Sequence, residues 1–316
     1  MIEAHGLVKH YGTVEAIRGV SFSVRTGEVV GLLGPNGAGK TTIMKILTCY
    51  HRPTAGTAVV DFHDVSTDTM GVRRTVGYLP ENAPVYQDLK VSEYLDFVAD
   101  VRGFSRKERA PRVERAMTLC GLTSMAFRTI DKLSKGYRQR VGLAQAIIHD
   151  PDTLILDEPT SGLDPNQIVE IRNLVTNLGR QKTVILSTHV LQEVEALCRS
   201  VIILNHGLVV ADGTSSDIAG AISGRKTVVS ITLEGATQTE VAAATTAMVS
   251  DASPGAPISI GGNRTMLEIA LNSGTSESVV SDWAIVHGFR IVAMTNKSLD
   301  LEDIFRTLTR PGGENA

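Results

Sequence analysis

The chain has 316 residues, 42% of them hydrophobic, a formal net charge of −3 and three cysteines. That length suits one large domain followed by a smaller one, and the charge balance excludes a protein-wide basic footprint for nucleic acid. Cys49, Cys120 and Cys198 stand far apart without metal-ligand spacing and read as buried thiols in a reducing compartment, while the lack of any 18-residue apolar run excludes a membrane-spanning helix and MIEAHGLVKHYG holds no apolar signal core.

In chain order, LVKHYG, VEAIRGV and FSVRTG in residues 1–27 read as short antiparallel strands with glycine turns. VVGLL (29–33) is a continuous apolar strand of the kind buried on both faces of a parallel sheet. GPNGAGKTT (34–42) follows at once, and a helical pattern runs over Lys40–Cys49. The G-x-x-x-x-G-K-[ST] spacing between a strand and a helix reads as a phosphate-binding loop. Gly34, Gly37 and Gly39 permit close backbone approach. The stretch from Gly34 through Pro35, Asn36 and Ala38 cradles phosphate oxygens with its N–H groups, aided by the helix N-terminus. Lys40 supplies a point charge to the β- and γ-phosphates, Thr41 offers a hydroxyl to Mg²⁺, and Thr42 completes the nucleotide-binding stretch.

VGYLPEN (76–82) is a strand that ends at a proline and a carboxylate, Glu81. Helical patterns cover Val91–Arg102, Arg106–Cys120, Lys135–His149 and Gln167–Arg180. They alternate with the apolar strands TLILD (153–157), TVILST (183–188) and SVIIL (200–204), which argues for an α/β fold with a central parallel sheet. In TLILDEPTSGLD (153–164) two carboxylates emerge at the C-terminal edge of a buried strand, where open α/β sheets bind ligands. Asp157 suits a water-mediated hold on Mg²⁺. Glu158, pointing elsewhere, suits a base that polarises an attacking water.

A small-residue stretch at Ala219–Arg225 reads as a linker. Beyond it come a strand at 226–234, a helix at Thr237–Ser250 with a threonine cap, a strand at 265–271, a helix at Ser276–Gly288 and a strand at 289–295. PISI (257–260) is a candidate extra strand. The order suggests a small α+β sandwich of the ferredoxin-like kind. A final amphipathic helix spans 299–309, and PGGENA is expected to be frayed. The expected domains are therefore 1–222 and 223–310, with a disordered tail at 311–316. The second domain shows no ligand cluster, so dimer support or regulation is its expected role.

KLSKGYRQRVGLAQAIIHDP (132–151) resembles the LSGGQ-type signature of ATP-binding-cassette (ABC) ATPases, and with the earlier motifs the resemblance spans the first 220 residues. It implies a P-loop NTPase cassette with an antiparallel β subdomain and a helical subdomain. Lys40, Asp157 and Glu158 match the family's nucleotide and catalytic positions. SGLD (161–164) looks like its D-loop, His189 in LSTHVLQEVE its switch histidine at the γ-phosphate, and Tyr11 the aromatic that stacks on adenine. By the same resemblance, Ser134 and Gly136 offer a hydroxyl and N–H groups to the γ-phosphate held by the opposite subunit. That implies a head-to-tail homodimer enclosing two ATP molecules. Lys135 and Tyr137 depart from the family's glycine and glutamine, and Lys135 is expected to point to solvent.

A single cassette, a YLPEN segment and a small α+β domain together look like the ATPase subunits of bacterial two-component exporters, whose permease is a separate polypeptide. The implied protein hydrolyses ATP, sits peripherally on the cytoplasmic side of the inner membrane, and binds no nucleic acid. Its permease would dock near Pro84–Leu95, with Tyr86, Leu89, Val91, Tyr94 and Leu95 as an apolar seat, although most of these are expected to pack the helical subdomain. The alternative is a non-transport cassette ATPase acting on a soluble or ribosomal complex. The family usually has glutamine where this chain has Glu81. A carboxylate about 5 Å from a phosphate is repelled by roughly 3 kcal/mol per unit charge at an effective dielectric of about 20. Facing Mg²⁺ it is tolerable, so Glu81 is expected to reach the metal, directly or through water, when the dimer closes.

Overall fold

The structure, a computed structural model, describes residues 1–222, 227–245, 252–261, 263–272, 275–297 and 301–309. Its contacts divide the chain into a first unit, Met1–Asp212, and a second beginning at Gly213.

In the first unit, β1 (Ile2–Tyr11) and β2 (Val14–Val24) form one antiparallel hairpin closed by Gly12 and Thr13. The expected short strands merge because Gly19 makes a bulge and not a turn. Leu7 pairs with Val20 and Val8 with Arg18, leaving Gly19 between them at φ 81°. Next come β3 (Val29–Leu33), α1 (Lys40–Leu47), β4 (Ala55–Val60) and β5 (His63–Asp64), and β4 and β5 complete a sheet of order β2-β1-β4-β5. Then follow α2 (Thr69–Thr75), β6 (Val76–Leu79), α3 (Val91–Val101), α4 (Arg106–Leu119), α5 (Lys135–Ile147) and β7 (Thr153–Asp157). The unit continues through α6 (Pro165–Gly179), β8 (Thr183–Thr188), α7 (Leu191–Leu197), β9 (Ser200–Asn205) and β10 (Leu208–Gly213).

The second sheet has the order β10-β9-β3-β8-β7-β6, and its β6-β7-β8-β3-β9 pairings are parallel. Strand alternation sorts its side chains between two cores. Ile155, Ile185 and Ile202 face α1 and the antiparallel sheet. Leu154, Leu156, Val184 and Leu186 face the helical side formed by α3 to α6. Both faces are covered, which is why these strands read as unbroken apolar runs. Cys49 and Cys120 are buried, whereas Cys198 is only half-buried; all three are free thiols.

The second unit starts with α8 (Ser215–Ile222), so part of the expected linker is helical. Thr214 and Asp217 explain this with reciprocal bonds. Thr214 N–H donates to Asp217 Oδ2 at 3.1 Å, and Asp217 N–H donates to Thr214 Oγ1 at 3.2 Å. After it come β11 (Thr227–Glu234), α9 (Gln238–Thr245), β12 (Ala252–Pro254), β13 (Ile258–Gly261), β14 (Arg264–Leu271), α10 (Ser278–Val286), β15 (Arg290–Lys297) and α11 (Leu301–Thr309). The sheet runs β12-β14-β11-β15, with β13 also on β14, and its printed pairings are antiparallel. This is the order of a ferredoxin-like β-α-β-β-α-β unit. Both helices pack on one face, where Trp283 of α10 donates from Nε1 to Ala244 O of α9 at 3.3 Å. Residues 223–225 of the expected linker, Lys226 of the expected strand, the end of the helix expected to reach Ser250, and the PGGENA tail lie outside the described residues.

Candidate active site

The turn between β3 and α1 is built around glycine. At Gly39, with φ 109°, an added Cβ would meet Ile17 Cδ1 at 2.5 Å and Ala16 O at 2.9 Å. Backbone can therefore pass close to the antiparallel sheet only without a side chain. Gly39 is also the N-cap of α1 and supplies no side-chain cap, so the first-turn N–H groups are not taken by a capping side chain.

Lys40 is buried, and its Nζ donates to Gly34 O at 2.7 Å and Pro35 O at 3.3 Å. It lies 3.7 Å from Glu158 Oε1. Thr41 Oγ1 donates to Asp157 Oδ1 at 3.3 Å, and Ser187 Oγ donates to the same oxygen at 2.6 Å. Asp157 is the last residue of β7 and is 1% exposed.

Glu158 turns sharply away. Its φ is 49°, a left-handed conformation that costs about 1 kcal/mol for a residue with a Cβ. Two bonds hold it there, from its own N–H to Ser187 O at 3.2 Å and to Ser187 Oγ at 3.0 Å. The turn sends the two carboxylates to different partners. Asp157 meets Thr41, whereas Glu158 Oε2 lies 2.9 Å from His189 Nδ1. Glu158 thus stands between a fixed cation and an exposed imidazole, an arrangement able to take a proton beside a phosphate.

One cleft of about 560 Å³ is lined by Tyr11, the loop from Asn36 to Thr42, Glu81, Glu158, Ser161 and His189. Tyr11 stands at its edge, half-exposed, with Lys9 Nζ 5.3 Å from the ring centre and the His51 ring edge-on at 5.6 Å. Gly34 and Pro35 lie behind the loop as acceptors for Lys40. Ser134 and Gly136 are not part of this cleft wall. Ser134 caps α5, accepting from Tyr137 N–H at 3.3 Å. Gly136 is buried against α6, where a Cβ would come 2.6 Å from the Gln167 amide. Lys135 is exposed, and its amine lies beside Gly162.

Thr41, Asp157 and Glu81 offer hard oxygens, the donor type magnesium takes. Among the described residues no group of three or more His, Cys, Asp or Glu is placed to cage a metal. That suits an ion which keeps waters and phosphate oxygens in its shell and takes few protein ligands.

Sequence reasoning missed four side chains. Ser187 bonds both Asp157 and the Glu158 backbone, and Glu193 joins Thr160 to Thr188. A polar pair, Ser187-Thr188, closing an otherwise apolar strand was the available signal.

A further surface lies beside the cleft segment. Val91 and Leu95 of the expected seat are fully buried and Leu89 packs on the helical core, because α4 and α5 cover that face of α3. The open side is a groove of about 450 Å³ bordered by Pro84, Tyr86, Tyr94, Phe97, Val101 and Arg102. Tyr86 and Phe97 are 57% and 42% exposed, so they, and not Val91 or Leu95, present apolar surface to solvent.

The phosphate loop, the paired carboxylates at the end of β7 and the histidine after β8 define a P-loop ATPase of the cassette class. Residues 17–161 match the family described as ABC transporter. The linearmycin resistance ATP-binding protein LnrL of Bacillus subtilis is 30% identical over 316 residues, covering 98% of each chain. An uncharacterised ABC transporter ATP-binding protein of Synechocystis is 38% identical over 224 residues; the match covers 68% of this chain but only 61% of that protein. The dimeric post-hydrolysis structure of the ATP-binding cassette MJ0796, bound to ADP and Pi, superimposes with a TM-score of 0.63 at 25% identity, covering 68% of this chain and 98% of that one. The chain belongs to the ABC transporter ATP-binding proteins. It binds ATP and is an ATPase.

Proposed function

We propose that this chain powers an exporter as a head-to-tail homodimer, with a separate membrane permease carrying the substrate. The observation that carries the reading is the composition of the cleft, which gathers the phosphate loop, Glu158 and His189 but leaves Ser134 and Gly136 outside. A second copy brings its signature to the γ-phosphate and completes the site. The dimeric state of MJ0796 supports that arrangement, and the resistance function in the name of LnrL supports export. On this reading the cassette runs to Asp212 and the unit from Gly213 onward is an accessory domain, a boundary earlier than the one expected after residue 222, and the assembly sits on the cytoplasmic side of the membrane. Among the described residues no helix is long and apolar enough to cross a membrane.

In the proposed mechanism Tyr11 stacks on the adenine, the loop N–H groups and Lys40 hold the phosphates, and Glu158 takes the proton of the attacking water. His189, fixed by its 2.9 Å contact to Glu158, orients that carboxylate and reaches the γ-phosphate. Thr41, Asp157 and Glu81 would hold Mg²⁺, which supplies charge neutralisation for the phosphates. The permease helix would sit on Tyr86 and Phe97, one segment from Glu81. Purifying the chain from membranes tests the reading. Co-purification of a protein with several apolar spans supports it, and a complex with ribosomes in its place contradicts it.

Glu81 tests the metal assignment. Glu81→Gln removes a negative charge from the cleft wall while keeping an oxygen donor. ATPase activity should persist, and the Mg²⁺ concentration for half-maximal nucleotide binding and hydrolysis should rise, because ligand charge count sets the affinity for a hard cation. Superimposable Mg²⁺ titrations would remove Glu81 from the metal site.

A further inference from the structure

Glu193 of α7 is 2% exposed, and both of its carboxylate oxygens are engaged. Oε2 accepts from Thr188 Oγ1 at 2.7 Å, and Oε1 accepts from Thr160 Oγ1. Thr188 Oγ1 in turn accepts from Val190 N–H at 3.0 Å. The residues on both sides of His189 are therefore held through a single hydroxyl. On the other arm, Thr160 sits in the turn that leaves Glu158, where Ser161 N–H donates to Glu158 O at 3.1 Å and Leu163 N–H to Thr160 O at 3.2 Å.

Among the described residues Glu193 has no cationic partner within ion-pair distance, and neutral hydroxyls are its side-chain bonding partners. Burying a carboxylate this way is unfavourable compared with an apolar residue of the same size. Its geometric effect is specific. Two short turns, one following β7 and one following β8, are tied through one rigid planar group. Those turns carry Glu158 and His189, and the first continues into Gly162.

We propose that Glu193 is a positioning residue for hydrolysis, a clamp that keeps His189 in register with Glu158 and makes the 160–163 turn move with the histidine. The inference rests on the reading of Glu158 and His189 as the hydrolytic pair. Glu193 does not line the cleft. Its loss should change turnover without changing how tightly ATP is held, because Lys40 and the loop are fixed independently by Gly34 and Pro35.

The test uses the full chain with Glu193→Ala, Glu193→Gln, Thr160→Val and, as a control, Glu158→Gln. Glu193→Ala should lower kcat by about 10- to 100-fold with KM for ATP within about twofold, the scale of a misplacement near 1 Å. Glu193→Gln should restore most of kcat, since its amide offers one acceptor and one donor to the two hydroxyls. Thr160→Val cuts one arm only and should lower kcat by about tenfold. It also decides the matter if the alanine variant does not fold. Wild-type kcat in both Glu193→Ala and Thr160→Val, no rescue by glutamine, or a change confined to KM overturns the clamp. A Glu158→Gln protein that keeps its turnover overturns the hydrolytic reading itself. Loss of turnover there with none in Glu193→Ala and Thr160→Val overturns the clamp alone.

Discussion

Glu158→Gln is expected to reduce ATP turnover by about 10²- to 10³-fold, the scale of one general base, while ATP still binds. The substitution keeps the size and planarity of the side chain, and the amide oxygen can still meet His189 Nδ1, now 2.9 Å from Oε2. What disappears is the ability to accept a proton. The charge change acts in the opposite direction on binding. Glu158 Oε1 lies 3.7 Å from Lys40 Nζ, and neutralising it leaves the Lys40 cation more available to phosphate. ATP affinity should therefore stay equal or rise. Single-turnover hydrolysis beside equilibrium binding of a fluorescent ATP analogue separates the two effects. Turnover within about tenfold of the parent would place the base elsewhere and leave Glu158 an orienting role.

Strand cores were legible where composition alone decides. Val29–Leu33 is an apolar run, Thr153–Asp157 and Thr183–Thr188 are apolar runs with polar ends, and each is a strand over those bounds. The loop at 34–42 was legible because phosphate binding fixes both residue types and spacing. Elements that depend on register or on distant partners were not. Gly19 is the same residue whether it makes a turn or a bulge, and only its pairing with β1 separates the two. Helix α2 buries a single side chain, Val72, so it leaves no periodic stripe to read. Val91 and Leu95 differ from Tyr86 and Phe97 only in which face α4 and α5 cover. Glu193 reads as an ordinary charged residue of an amphipathic helix, because one of its partners, Thr160, is 33 residues away. Glu81 is a middle case. The sequence marks it as unusual, and the structure puts it on the same cleft as Lys40 and Glu158.

The second large effect concerns assembly. In the proposed dimer each cleft would hold one half of the chemistry, and Ser134, at the N-terminus of α5, would belong to the half that a second copy supplies. A helix N-terminus whose first-turn N–H groups meet an anion gains from it, so on the proposed reading ATP would favour the closed pair and hydrolysis would loosen it. The Glu158→Gln protein, which binds ATP without consuming it, should accumulate in the closed form. Introducing a long cation at the interface with Ser134→Arg should prevent closure, and it also removes a helix cap for a cost of about 1 kcal/mol. The most direct measurement is the solution mass of full-length Glu158→Gln protein by sedimentation, with and without saturating ATP and Mg²⁺. The account predicts one chain mass without nucleotide, twice that mass with ATP, and a single chain mass with ATP once Ser134→Arg is added. A single chain mass at saturating ATP without that change, or a doubled mass indifferent to both nucleotide and Ser134, would contradict it.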